Sequence, residues 1–227
     1  CLQLKELRTA LLETGGTDVV LMSACLMATI ESGYELRGLA DFYVSSEQLL
    51  WLPPSHLRYI SGGGKSEIKG NTWTVPALTD ATSPRELALA MARSYRVDAY
   101  EFNDKPGTIS VANITKVQDL VDKTSTLAGL LKSDMSGLHS VISGINSDVQ
   151  RFDSNGDIQI TPEDEIVDVY HFAQLVQARI SDPTIQQAAG DVVSAVDSYV
   201  VGESEYDLAW SGGFSYEGTQ YTWDLDS

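Results

Sequence analysis

Cys25 lies where two sequence patterns of different period meet. Val19 to Met22 is a short apolar run with β-branched residues, which predicts a buried strand. From Leu26 onwards the apolar residues follow a helical period, so Cys25 falls between the end of a strand and the start of a helix. Ligands often bind at the carboxyl ends of strands in open α/β sheets, and a helix N-terminus stabilises a thiolate. Cys25 is therefore a candidate nucleophile.

Position alone leaves other roles open for Cys25. An unpaired cysteine is often a small buried hydrophobe, and this role fits an apolar neighbourhood as well as catalysis does. A disulfide with Cys1, the second of the two cysteines, also fits the sequence, but it would remove the nucleophile. Two cysteines do not determine the redox compartment.

The segment Asp41 to Glu47 is predicted to form the next parallel strand, because it follows the expected helix after a short connection. Strand, helix and strand in this order make a βαβ unit. The carboxyl end of the second strand would then lie beside Cys25, which makes Ser45, Ser46 and Glu47 candidate binding residues. Glu47 is suited to a basic group, although a solvated residue at a strand end is an equal alternative.

A second candidate site is an acidic segment between residues 153 and 164. Its spacing of oxygen-bearing side chains resembles an EF-hand-type calcium loop. The residues concerned are Asp153, Asn155, Asp157, Gln159, Thr161 and Asp164. Ile158 replaces the usual glycine and the last position is Asp rather than Glu, so an acidic surface turn before a helix is the alternative. Calcium is the metal that this segment favours, and the chemistry expected at Cys25 requires no cofactor.

Other elements are predicted from apolar periodicity and from turn residues. Residues 2–13 place leucines on one helical face, which is expected to pack beneath the Cys25 strand. Gly70 and Asn71 indicate the turn of a small hairpin. Thr108 to Val111 is predicted to be a strand. The remaining predicted helices are Ser83 to about Tyr100, one capped by Thr115, and residues 134–152, 163–180 and 184–201, followed by an aromatic tail.

The charge and composition of the chain limit the classes of molecule that it is expected to bind. The 227 residues include 15 basic and 32 acidic side chains, for a net charge of −17. This charge argues against nucleic acid and against anionic membrane surfaces, since both attract basic patches. No apolar run approaches the roughly 20 residues of a membrane span. A cationic substrate, or solubility alone, accounts for the acidic excess.

The neighbourhood of Cys25 resembles a known family. Ala24–Ala28, Glu31, Tyr34–Arg37, Ala40–Asp41 and Val44–Glu47 are similar to the nucleophile region of the clostripain-like cysteine peptidases. This resemblance implies a caspase-like α/β/α sandwich and a cysteine endopeptidase acting on peptides or proteins, in a secreted, periplasmic or cell-surface location. It also divides the chain into residues 1–132, the C-terminal part of the peptidase core, and residues 133–227, a helical extension and tail packed on it.

The resemblance also implies a partner chain. The family places its catalytic histidine in a His-Gly motif on the strand before the cysteine strand, and it is commonly cut between the two. Here the histidines are His56, His139 and His171, none is followed by glycine, and we expect each to be structural or on the surface. The chain is therefore expected to be a heavy chain, with the histidine on a light chain of the same precursor.

Two departures from the family pattern concern substrate preference. Ser23 stands where the family has an aspartate of the pocket for a basic P1 side chain, and Leu49–Pro54 replaces a Pro-Gly-x-Gly-Trp segment. Ser23 is therefore a candidate substrate-binding residue, together with Ser45, Ser46 and Glu47. Both departures weaken the expectation that the P1 side chain is basic. The alternatives are an inactive peptide-binding homologue and a calcium-stabilised interaction module.

Overall fold

The computed structural model describes residues 3–47, 83–92, 107–152, 154, 161 and 164–206. The predicted hairpin at Gly70–Asn71 and the aromatic tail lie outside these residues. Within them, the elements in chain order are α1 (Leu4–Thr14), β1 (Thr17–Leu21), α2 (Ile30–Glu35), β2 (Ala40–Ser45), α3 (84–92), β3 (Gly107–Asn113), α4 (Val117–Ser133), α5 (Met135–Asp148), α6 (Val169–Arg179), α7 (Pro183–Tyr199) and β4 (Val200–Tyr206). Among these elements, no helix has the length and apolarity needed to cross a bilayer.

The strands form one mixed sheet in the order β1-β2-β3-β4. β1 and β2 are parallel, with Val19 opposite Phe42, whereas β3 pairs antiparallel with both β2 and β4. The predicted α/β class and the β1-α2-β2 unit are confirmed, and so is a strand at Thr108–Val111. The prediction that the last helix continues to residue 201 is wrong, because the chain leaves α7 at Val200 and pairs with β3.

The core of the sheet is built from β-branched residues of the strands and small residues of a helix. Val44, Ile109 and Val111 pack against Ala88 and Ala92 of α3. Small residues let the helix backbone approach the sheet closely, while the branched side chains fill the pleated surface.

The predicted N-terminal cap of α3 is confirmed. The Ser83 hydroxyl oxygen accepts the Glu86 N–H at 3.2 Å, and Ser83 in turn donates to the Glu86 carboxylate. This reciprocal pair satisfies an N–H group that the first turn of a helix leaves without a partner inside the helix. The cap thereby fixes where α3 begins.

The first strand and helix are less buried than the sequence predicts. In β1 only Val20 is buried, because β1 is the edge strand of the sheet formed by the described residues. α1 has no fully buried residue: Leu4, Leu7 and Leu11 are half-buried and Leu12 is 56% exposed. The expected packing of its leucines beneath β1 stays a prediction. The Arg8 guanidinium attaches α1 to α2 by donating to the Glu35 carbonyl.

The turn from α1 into β1 requires glycine. Gly16 has φ +87°, a conformation that residues with a Cβ rarely adopt. A Cβ on Gly16 would also lie 2.9 Å from the Leu39 carbonyl oxygen. This close approach lets Thr17 N–H donate to the same oxygen at 2.9 Å, which starts the pairing of β1 with β2.

By their internal contacts the residues divide into two compact units, one formed by Cys1–Ile114 with Val200–Ser227 and one by Thr115–Tyr199. In the second unit α4 packs against α7, and α7 packs against α6. The predicted helices are present there, but α4 begins at Val117 after a 3₁₀ turn rather than at a Thr115 cap, and α6 begins at Val169. The division into residues 1–132 and 133–227 was drawn from resemblance and stays a prediction.

The start of α6 is fixed by the carboxylate of Asp168, a half-buried residue. Asp168 Oδ1 accepts the His171 N–H at 2.6 Å, which caps the helix. Burial raises the pKa of Asp168, and the hydrogen bond from the His171 backbone opposes that rise only in part. Burial therefore makes the charged form of this carboxylate less favourable in the folded state.

We expect Ile109→Ala to lower the free energy of unfolding by about 2–5 kcal/mol, because it leaves a cavity in a closely packed core. Ile109 is 2% exposed. Leu12→Ala removes another large apolar side chain, but from an exposed site, and should change the free energy by less than about 0.5 kcal/mol. Urea unfolding measures both, and equal losses would contradict this description of the core.

We expect Asp168→Asn to stabilise the fold near neutral pH, because the amide keeps the cap and carries no charge to be desolvated. The stability linked to protonation of Asp168 is fully present below its unfolded pKa of about 3.9 and is lost as the pH rises through the raised folded pKa. The two proteins should therefore converge in acid. Asp168→Ala, which loses the cap, should cost about 0.5–2 kcal/mol. A pH-independent difference between Asn and Asp would contradict the burial argument.

Candidate active site

Cys25 lies in a loop between β1 and α2. The strand ends at Leu21 and the helix begins at Ile30, so the predicted position of Cys25 after a strand is confirmed. The predicted start of a helix at Leu26 is wrong, because Leu26 has φ +57° and Thr29 caps α2 by accepting the Ser32 N–H. The helix α2 has six residues and begins five positions beyond Cys25, so Cys25 is not the residue that precedes it in sequence.

The Cys25 thiol is exposed. The alternative that Cys25 is a small core hydrophobe is therefore wrong for the described residues. The alternative of a disulfide with Cys1 is not tested, because Cys1 lies outside the described residues. An exposed cysteine in a loop at the end of a strand has the access to solvent that a nucleophile needs.

Hydrogen bonds attach the Cys25 loop to the end of β2. The Ser46 carbonyl oxygen accepts the N–H groups of Met27 and Ala28 at 2.9 and 3.0 Å. On the other side of the cysteine, Met22 N–H donates to the Val44 carbonyl at 2.9 Å. The carboxyl end of β2 therefore lies beside the Cys25 loop, as the βαβ pattern predicts.

Tyr43, which sequence patterns did not single out, also contacts this loop. Its hydroxyl donates to the Met27 carbonyl oxygen at 2.9 Å, although the side chain is 1% exposed. Burial raises the pKa of Tyr43 to about 12, against smaller opposing effects of hydrogen bonds with Ser45 and Ser32. The signal that could have identified it is general: a buried tyrosine hydroxyl needs a partner, and the nearest predicted loop was the one after β1.

The predicted binding residues differ in their surroundings. Ser45 and Ser46 are almost completely buried, at 1% and 0% exposure, whereas Ser23 and Glu47 are half-buried. The Ser46 hydroxyl lies 3.3 Å from the Thr108 hydroxyl, which accepts the Glu47 N–H at 3.1 Å. The Ser46 side chain and the Glu47 backbone thus hold the end of β2 to β3. A role of all four residues in substrate binding stays a prediction.

The two described histidines lie on helices, as predicted, and both helices belong to the second unit. His139 is an exposed residue of α5, and His171 lies in the first turn of α6. The Nδ1 atom of His171 accepts the Gln150 N–H at 3.1 Å, which ties the chain after α5 to α6. This bond supports a structural role for His171. His56 lies outside the described residues.

Two of the predicted calcium ligands, Thr161 and Asp164, are among the described residues. Asp164 is fully buried, and its Oδ1 accepts the N–H and hydroxyl of Ser154 while Oδ2 accepts the Thr161 N–H at 2.8 Å. This carboxylate closes the loop through protein hydrogen bonds. The described residues contain no group of three acidic, histidine or cysteine side chains suited to a metal. Asp153, Asn155, Asp157 and Gln159 lie outside them, so calcium stays a prediction.

Comparisons with solved structures show what this fold is similar to. A cysteine protease of B. fragilis is 19% identical, with a TM-score of 0.59 over 90% of this chain and 74% of its own. A secreted C11 cysteine protease from Bacteroides thetaiotaomicron, in complex with an irreversible peptide inhibitor, is 18% identical, with a TM-score of 0.57 over 94% and 52%. An inactive zymogen C11 protease from Parabacteroides distasonis is 16% identical, with a TM-score of 0.57 over 94% and 51%.

These identities are low, so the structures establish a shared fold. The chain spans about three quarters of the first of these proteins and about half of the other two. No curated protein is matched by the sequence. The sequence model of the clostripain family matches residues 1–220, which is nearly the whole chain. The chain therefore belongs to the clostripain family of cysteine peptidases.

Proposed function

We propose that this chain is the nucleophile-bearing heavy chain of a two-chain cysteine endopeptidase. The observation that carries the proposal is the exposed Cys25 thiol, which lies in a loop at the carboxyl ends of the parallel strands β1 and β2. Membership of the clostripain family supports the same role. In this proposal residues 1–132 belong to the peptidase core and residues 133–227 form an extension of it.

The proposed reaction is acyl transfer through a Cys/His dyad. A histidine of the partner chain accepts the Cys25 thiol proton, and the thiolate attacks the carbonyl carbon of a peptide bond. The histidine then protonates the leaving amine, and water hydrolyses the thioester to regenerate the thiol. The backbone N–H of Cys25, together with one from the partner chain, would stabilise the oxyanion.

The open edge of the sheet supports a light chain as partner. β1 is the edge strand among the described residues, and such a strand presents backbone N–H and C=O groups that a further strand can pair with. The helix α1 directly precedes β1 in the chain, and its Leu12 is an exposed apolar side chain that a partner could cover. One structural neighbour is an inactive zymogen, which supports maturation by a cut in a common precursor.

The proposed substrate is a peptide or protein bound at the end of β2. An extended peptide gains affinity from backbone hydrogen bonds and specificity from pockets. One neighbour binds an irreversible peptide inhibitor, which supports this class of ligand. A basic P1 side chain would meet Glu47, and the net charge of −17 favours cationic substrates. A secreted neighbour supports a secreted, periplasmic or cell-surface location.

We expect a peptidyl chloromethyl ketone to form one adduct on Cys25 and Cys25→Ala to abolish both the adduct and peptide hydrolysis, because only the thiolate reacts. Cys1→Ser should keep both. Intact-mass and peptide mapping by mass spectrometry make the comparison, and the same spectra should contain a second, histidine-bearing chain. An unreactive Cys25 would overturn the peptidase proposal and favour an inactive peptide-binding homologue, for which Ser23 in place of the family aspartate is the motivation.

We expect Glu47→Gln to reduce the preference for lysine over its neutral isostere norleucine at P1 by about ten-fold, because a charge-assisted contact is lost. The measurement is the ratio of kcat/KM for matched peptide substrates. Glu31→Gln, which neutralises an exposed glutamate of α2, is the control and should leave the ratio unchanged. A ratio that Glu47→Gln does not alter would exclude Glu47 from P1 recognition.

A further inference from the structure

We propose that Tyr43 is a positioning residue for Cys25, whose hydroxyl holds the nucleophile loop in its reactive geometry. This inference rests on the proposed peptidase function. Tyr43 lies on β2, and its hydroxyl donates at 2.9 Å to the carbonyl of Met27, two residues after the cysteine. Tyr43 acts on the reaction through the loop backbone, and it does not contact the reacting sulfur in this role.

The Tyr43 hydroxyl keeps its proton and can therefore donate this hydrogen bond. Burial raises the pKa of Tyr43 to about 12, so the group remains protonated over the range in which a cysteine peptidase works. With 1% of the side chain exposed, water has little access to compete for the Met27 carbonyl. The ring is held by the sheet, and the hydroxyl is therefore a fixed point for the loop.

The loop needs such a restraint because its backbone is strained next to the nucleophile. Leu26 has φ +57°, and among the described residues it is the one non-glycine residue with a positive φ. A left-handed conformation brings Cβ close to the following carbonyl oxygen, so the chain adopts it only where its surroundings impose it. Tyr43 on one side and the Ser46 carbonyl on the other fix Met27, the residue that follows Leu26.

A change in this backbone moves the nucleophile. Cys25 is bonded directly to Leu26, so relaxation of the Leu26 φ angle would rotate the cysteine relative to β2. An attacking sulfur must lie at about 3–3.5 Å from the carbonyl carbon, and a displacement of about 1 Å can cost on the order of 100-fold in rate. In this proposal the substrate at the end of β2 makes no contact with the buried Tyr43 hydroxyl, which donates to the loop backbone. Its loss should therefore affect kcat rather than KM.

The test is Tyr43→Phe in the complete two-chain enzyme, which keeps the ring and removes only the hydroxyl. We expect kcat and the rate of Cys25 alkylation by a peptidyl chloromethyl ketone to fall about ten-fold, with KM unchanged. The matched control is Tyr199→Phe, the same substitution at another buried tyrosine, on α7, which should leave kcat unchanged. A rise in KM alone, equal effects of both substitutions, or no effect of Tyr43→Phe would overturn the proposal.

Amide hydrogen exchange gives a readout that is independent of activity. In Tyr43→Phe the peptide covering residues 22–29 should exchange faster, because Met27 and Ala28 lose part of the restraint on their hydrogen bonds to Ser46. Tyr199→Phe should not change this peptide. Unaltered exchange in Tyr43→Phe would overturn the positioning role. A wild-type enzyme with an inert Cys25 would instead overturn the peptidase function, and exchange would still decide whether Tyr43 fixes the loop.

Discussion

The arrangement of the candidate site depends on one carbonyl oxygen at the end of β2. Ser46 O accepts two adjacent N–H groups, those of Met27 and Ala28, and so joins the loop after Cys25 to a strand that is paired on both sides. Ser46 itself is fully buried, and hydrogen bonds shielded from water are electrostatically stronger than exposed ones. The hydroxyls of Thr108 and Ser110 in turn hold the end of β2 to β3. The position of an exposed thiol is thereby set by buried polar contacts within the sheet.

Local patterns predicted the elements whose structure is decided locally. The apolar runs before Cys25 and after Ala40 correctly predicted the parallel strands β1 and β2. Ser83 correctly predicted the start of α3. The pattern failed at Leu26, because its left-handed backbone accompanies hydrogen bonds from the next two residues to Ser46, twenty positions further along the chain. It failed again at Val200, where valines that extend the helical pattern of α7 are drawn into a strand by pairing with β3.

The candidate site was predictable in position and less so in detail. The sequence placed Cys25 at the end of a strand and the residues after β2 beside it. It could not indicate that Ser45 and Ser46 face the interior, because alternation along a strand identifies two faces without saying what covers each. The same limit applies to α1, whose leucines form a stripe that is only partly buried among the described residues. For the acidic segment, a spacing pattern could not indicate that the oxygens of Asp164 accept protein N–H groups.

The pairing of β3 with β4 has a consequence for how this chain can vary. Among the described residues β4 returns to the sheet after the helices α4 to α7. Val200 pairs with Ala112, only two residues before Ile114, the last residue of the sheet unit before the helices. The helical unit is therefore an insertion between two strands, β3 and β4, that pair with each other. A segment whose two ends lie next to each other tolerates changes of length, because its ends join the rest of the protein at the same two positions. The helices are therefore free to lengthen, shorten or acquire new surfaces while the nucleophile loop and its sheet stay the same.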